Sequence, residues 1–371
     1  MPVCGAGVRV PTNAGVMLTV PSVITAQRPP LPGEPETPPQ ETFIPIDLDG
    51  LVVDTVLDFY LLLPAGKGRL LFFRSPNLEF TVAHRNRLLD NNVQTVYIRA
   101  QERGRYNQYL EQHLPAVIAS PDVAPKRKAS LLYSVSSNVV QDCLADPRSE
   151  AIVPRTKRVA ESTIDFVLKS DRSLGQLATL MATDYYTYTH SINVSVFAVA
   201  LAHKADVPKA DLADLTTGAL LHDIGKSQIP KELITKDGPL DAEEYRKVQE
   251  HVVLGERLLA GHRAMSALAM LPVKLHHEKL DGSGYHRGLA RDQIHLFGRI
   301  VAIADCFDAM TTNRSYQKAM KPFDALLKMR TQQHAKFDQG LLELFIRLLK
   351  SPDARERTRE AEELVKGAIA V

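Results

Sequence analysis

From Val123 almost to its end the chain repeats apolar residues at helical spacing, which confines most of its 371 residues to packed helices. Leu131, Leu132, Val135, Val139 and Leu144 share one helical face; Val159, Ile164, Val167 and Leu168 share another. Further helices are predicted over residues 174–202, 209–222, 241–259, 264–277, 297–310 and 323–349. Asp241, with Glu244 three residues on, has the form of a capping box and marks the start of the helix carrying His251.

The remainder reads differently. Residues 1–40 hold nine of the 23 prolines, and proline removes backbone donors and fixes φ, so an extended, disordered tail is expected. An apolar stretch at 16–26 follows Arg9, but Pro21 interrupts it and speaks against a signal peptide. Residues 41–119 alternate strand-like runs (43–48, 56–63, 70–73, 93–98) with a helix at 83–91 and another at 103–114, ended by Pro115. This is read as a small α/β domain. The expected organisation is therefore an α+β, multidomain chain. It comprises the tail 1–40, the α/β domain 41–119, connecting helices 120–170, an all-helical catalytic domain 171–350 and a charged tail 351–371.

Composition narrows the function. A formal net charge of +2 gives no global basic field, which argues against a nucleic-acid polymer as partner. No apolar run reaches the length of about 18 residues that a membrane helix needs. Three separated cysteines (Cys4, Cys143, Cys306) show no metal-knuckle or disulfide spacing, so a cytoplasmic protein is expected.

Five of the helical elements each contribute a metal-ligand type. In order these are His190, the pair His222-Asp223, His251, the pair His276-His277, and Asp305. Neutral imidazole with carboxylate suits iron, manganese, cobalt or zinc. A carboxylate can bridge two ions, which points to Asp223 as the bridge. One ion would then take His190, His222 and Asp305, and the other His251, His276 and His277. Asp305 lies in the otherwise apolar run Ala302-Ile303-Ala304-Asp305-Cys306-Phe307, where an acid needs a partner to justify burial. His84 and His113 stand alone in the first domain and read as packing or surface residues.

Four motifs in order, His222-Asp223-Ile224-Gly225-Lys226, His276-His277-Glu278, Asp281-Gly282-Ser283-Gly284-Tyr285 and the run from Asp305 to Met310, resemble the HD-GYP family of the HD phosphohydrolase superfamily over roughly residues 184–320. The resemblance implies an all-helical domain with the same ligand set. It implies two divalent ions, iron or manganese, and hydrolysis of cyclic di-GMP to linear pGpG or onward to GMP. Some members add a third ion through a glutamate four residues before the first ligand histidine. Tyr186 stands there, so two ions are expected, with Asp184 as a capping or hydrogen-bonding acid. Lys226 resembles the family's phosphate-binding lysine, and Gly284, Tyr285, Arg314 and Lys318 fall at positions expected to contact substrate. The expected mechanism is in-line attack by a metal-bridging hydroxide, with Asp223 and Lys226 at its centre. Glu278 and Asp308 are the two acids placed to orient imidazoles, and the sequence leaves open which of them does so.

Three positions depart from the family pattern: His286 and Ser315 replace prolines, and Leu280 replaces a common aromatic. They motivate a second reading, a catalytically weak regulator that binds a cyclic dinucleotide or a diguanylate-cyclase domain through the Tyr285 loop. A third keeps the enzyme but makes cyclic GMP-AMP its substrate. The α/β domain is read as a regulatory or dimerisation module, which leaves a homodimer open.

Overall fold

A computed structural model describes residues 42–65, 69–169, 171–181, 187–313 and 318–349. The Pro-rich and charged tails, Asp184, Tyr186, Arg314 and Ser315 lie outside the described residues. Two compact units divide between Val117 and Ile118.

The first unit is built on antiparallel strands. β1 (Phe43–Asp47), β6 (Thr95–Arg99), β3 (Leu61–Pro64) and β4 (Leu70–Arg74) form a four-stranded sheet in that order, and β2 (Thr55–Leu57) pairs with β5 (Leu78–Phe80). Alternation buries Val96 and Ile98 of β6 on one face. The run predicted over 56–63 is two strands, because the Tyr60 N–H turns to the buried carboxylate of Glu102 (3.3 Å). β5, three residues long after Asn77 in the left-handed region, was too short to read as a strand. Helix α1 (Val82–Asp90) precedes β6, and α2 (Arg103–Ala119) closes the unit. α2 passes through Pro115 instead of ending there, since Leu114 and Val117 are buried on its far side. Its Tyr106 and Tyr109 pack edge-on to the buried Phe59, centroids 5.6 and 5.5 Å away.

The second unit is helical: α3 (Pro125–Ala145), α4 (Ile152–Val167), α5 (Asp171–Leu180), α6 (Thr187–Lys204), α7 (Lys209–Leu221), α8 (Lys231–Ile234), α9 (Ala242–Gln249), α10 (His251–Ala260), α11 (Met270–Leu275), α12 (Leu296–Thr311), α13 (Pro322–Thr331) and α14 (Gln339–Leu349). Every residue of α6 from Thr189 to Ala202 is buried, the polar His190, Ser191, Asn193 and Ser195 included. α3, α4, α5, α7, α12 and α14 pack around it. Phe197 of α6, Phe307 of α12 and Phe345 of α14 meet edge to face at 5.1–5.7 Å.

Four predicted helices are shorter or divided. The run at 174–202 is α5 and α6. The run at 323–349 divides because Asp338 caps α14, its Oδ1 accepting from the N–H groups of Gly340 and Leu341. Only Met270–Leu275 of 264–277 is helical. The run at 241–259 breaks at Glu250, placing His251 at the first position of α10. The capping box is present: Asp241 Oδ1 accepts from Glu243 and Glu244 N–H, and Glu244 Oε2 accepts from Asp241 N–H.

Candidate metal centre

Helix ends deliver most of the candidate ligands. His222 is the C-cap of α7 and Asp223 opens the 3₁₀ helix Ile224–Gln228. His251 opens α10, and His276 is the C-cap of α11. His190 of α6 and Asp305 of α12 come from helix interiors. Gly225 allows the closest approach: a Cβ there would overlap the carbonyl oxygen of His251. Only a glycine lets the Asp223 turn lie directly on α10.

The result is two facing triads. His190, His222 and Asp305 each offer a ligand atom within 4.8 Å of the others, and so do His251, His276 and His277. Asp223 lies between them. Its Oδ2 is 3.4 Å from His222 Nε2 and 3.7 Å from His190 Nε2, and its Oδ1 is 3.4 Å from His251 Nε2 and 3.9 Å from His276 Nε2. His190 Nε2 is 3.0 Å from Asp305 Oδ1, and His277 Nδ1 is 3.7 Å from Asp305 Oδ2. His190, His222, Asp223, His251 and His276 are all at most 1% exposed, while the His277 side chain keeps 22%.

Hydrogen bonds set the direction of the imidazoles. His222 Nδ1 donates to the carbonyl of Ala219 (2.7 Å), His251 Nδ1 to Val248 (2.6 Å) and His276 Nδ1 to Pro272 (2.9 Å). A carbonyl only accepts, so Nδ1 carries the proton and Nε2 aims a lone pair inward. His190 Nδ1 rests on Asp308 Oδ2 at 2.6 Å, and Asn193 Nδ2 donates to Asp308 Oδ1 at 2.8 Å.

Such a set fits divalent metal. His251 and His276 turn Nε2 lone pairs toward each other at 3.2 Å. His222 Nε2 and Asp223 Oδ1 are buried without a hydrogen-bond partner. An uncompensated buried acceptor is costly, and divalent cations in the two triads would satisfy these atoms. Charge points the same way. Burial would raise the pKa of Asp223, but Lys226 and His222 hold it well below the usual carboxylate range. Asp305 is likewise opposed by burial but held well below by His190 and His277. Burial lowers His251 to about 4 and depresses His276 and His277 well below the ordinary imidazole value. The centre thus sets ionised carboxylates beside the neutral imidazoles of His251, His276 and His277.

Lys226 is half turned inward, its Nζ donating to Asp223 Oδ2 at 2.5 Å. Tyr285 stacks on the His277 ring, centroids 4.5 Å apart and planes 28° apart, and burial pushes its phenol further up. Gly284 packs against the backbone of His277, Glu278 and Lys279 with no room for a Cβ. Lys318 and His286 are exposed. Of the two acids, Asp308 orients an imidazole and Glu278 does not: its carboxylate accepts from the backbone N–H groups of Arg287 (2.8 Å) and Leu289 (2.9 Å). Sequence reasoning missed Asn193. Its position one turn after His190, on the same helical side, was the available signal.

A family model described as HD domain matches residues 144–341. The chain is 33% identical over 223 residues to the cyclic di-GMP phosphodiesterase PA4108 of Pseudomonas aeruginosa, covering 60% of this chain and 54% of that one. It is 40% identical over 153 residues to 3'3'-cGAMP-specific phosphodiesterase 3 of Vibrio cholerae (41% and 33% covered). It is 32% identical over 170 residues to a cyclic di-GMP phosphodiesterase of Thermotoga maritima (45% and 46% covered). The matches thus span about half or less of these relatives' own lengths. Bd1817, a solved HDG"Y"P protein from Bdellovibrio bacteriovorus, shares the fold with a TM-score of 0.59 at 18% identity, over 84% of this chain and all of that one. Among the described residues no helix is long and apolar enough to cross a membrane.

Proposed function

The chain belongs to the HD-domain family, and from that premise we propose that it is a metal-dependent phosphodiesterase of cyclic dinucleotides, with cyclic di-GMP as substrate. One observation carries the reading: two triads of ligand atoms face each other across the buried Asp223, whose Oδ1 has no hydrogen-bond partner. In this reading His190, His222 and Asp305 would hold one ion and His251, His276 and His277 the other, with Asp223 the carboxylate shared between them. Bound there, a pair of iron or manganese ions supplies an activated water and neutralises charge at phosphorus.

The chain's own residues do the rest. Asp308 and three backbone carbonyls keep the imidazoles turned inward, so little reorganisation precedes reaction. Lys226, already on Asp223, is the cation nearest the bridge and the group assigned to a phosphoryl oxygen. Gly284 and Tyr285 form the wall over His277 on which a nucleotide rests; Arg314 and Lys318 complete the assigned phosphate contacts. Cleavage with departure of the ribose 3′-oxygen gives linear pGpG, and a second round gives GMP. In the same reading residues 41–119 regulate the domain.

The 40% identity to a cGAMP-specific enzyme supports a second substrate, cyclic GMP-AMP. Anaerobically purified, metal-loaded protein should be given each dinucleotide in turn. Turnover of cyclic di-GMP to pGpG is expected. Preference for cyclic GMP-AMP would transfer the assignment to that substrate, and nucleotide binding without turnover would replace the enzyme with a regulator.

A further inference from the structure

Glu278 follows the ligand pair His276-His277 directly, yet it takes no part in the metal cluster. It is 2% exposed. A buried carboxylate is expensive unless its lone pairs are filled. Here Oε1 accepts from the Arg287 N–H and Oε2 from the Leu289 N–H, one oxygen for each of two loop amides. The same loop is tied to the same short segment twice more. Gly284 lies on the backbone of 277–279 with no room for a Cβ, and Tyr285 N–H donates to the carbonyl of His277 at 3.2 Å. These ties leave the Tyr285 ring stacked on His277. A proline would lock φ at position 286, but His286 stands there, so the loop depends on bonds from outside itself.

We infer that Glu278 is a positioning residue: its carboxylate clamps the loop 284–289 so that Tyr285 is held against His277 at the wall of the dinucleotide site. The substrate part of this inference rests on the proposed phosphodiesterase reading; the clamp itself does not. Glu278 acts through Tyr285 and makes no contact with the reacting atoms. The exposed Arg287 guanidinium also reaches Glu256, which binds Lys274 (2.6 Å), but at 3.4 Å and in solvent this pair holds the loop weakly.

Glu278→Gln tests the clamp. It preserves volume but sets an amide NH₂ against one of the two backbone N–H groups. Three readouts are taken on full-length protein: metal content, steady-state kinetics and the rate of tryptic cleavage after Arg287, followed by mass spectrometry. Metal content should match wild type, and hydrolysis of bis(p-nitrophenyl) phosphate, which needs only the ions, should stay within about twofold. For the cyclic dinucleotide kcat/KM should fall about tenfold or more, mainly through KM, and cleavage after Arg287 should accelerate by a similar factor. Glu256→Gln should change neither kinetics nor cleavage by more than about twofold. If Glu278→Gln fails to fold, Glu278→Asp, which keeps the charge but withdraws the carboxylate from both backbone N–H groups, should give the same pattern. Unchanged cleavage and unchanged kcat/KM in whichever variant folds overturn the clamp. A wild-type protein inert toward every cyclic dinucleotide overturns the proposed function instead, and the cleavage arm then still decides the clamp.

Discussion

At the scale of single residues, the centre is an arrangement of lone pairs awaiting charge. The histidine and aspartate types were legible because only a few residue types bind such ions, and these occur one or two per helix. Their orientation was not legible. The carbonyls of Ala219, Val248 and Pro272 that hold the Nδ1 protons are backbone groups, identical at every position of any sequence. Which of Glu278 and Asp308 orients an imidazole was not legible for a related reason: beside two histidines an acid suggests imidazole contact, yet the loop returns to claim Glu278. Asp308 is the side-chain counterpart of those carbonyls. Asp308→Asn removes the charge beside His190, and metal affinity, measured by chelator competition, should fall about 10- to 100-fold; unchanged affinity would show that Asp308 serves packing alone. The metal-free protein should also be acid-sensitive. His251 titrates near 4 folded and 6.5 unfolded, so between these values the unfolded chain binds the extra proton. Stability is full above pH 6.5 and declines as pH falls toward 4, by on the order of 3 kcal/mol from this one group. Asp223 and Asp305, depressed below the carboxylate range, add their losses at lower pH. Thermal melts of chelated protein across this range check it; a flat Tm would contradict the buried neutral imidazole.

At the scale of elements, periodicity identified the helices better than their ends. The apolar stretch of α6 from Val196 to Ala202 was legible as helix, though run together with α5, and α9 was legible because its capping box was present in the sequence. The break at Asp338 was hidden, since it arises from a local side-chain bond that competes with the helical ladder, and the break at Glu250 was hidden because no side-chain cap marks it. The five-residue strands β1, β4 and β6 were found, β2 and β3 were run together, and β5, with three residues, was missed. The packing of α6, α12 and α14 holds His190 and Asp305 in register. Phe345 is fully buried at its centre, so Phe345→Ala should cost about 3–5 kcal/mol in urea unfolding. A loss under about 1 kcal/mol would mean that α14 does not brace the centre.

At the scale of the molecule, the helical unit gathers residues from His190 to Asp305 into one buried cluster, although 115 positions separate those two in the chain. That convergence is a property of the fold, and no short window of sequence contains it. Metal binding should therefore stabilise the whole unit, because the site exists only when α6, α7, α10, α11 and α12 are packed. The central claim is that Asp223 joins two ions into one hydrolytic centre. Metal analysis of anaerobically purified wild type and Asp223→Ala, paired with cyclic di-GMP turnover on the same samples, tests it most directly. The account predicts about two iron or manganese ions per wild-type chain, with both metal and turnover lost in the variant. Full turnover by Asp223→Ala, or an active wild type without metal, would contradict it.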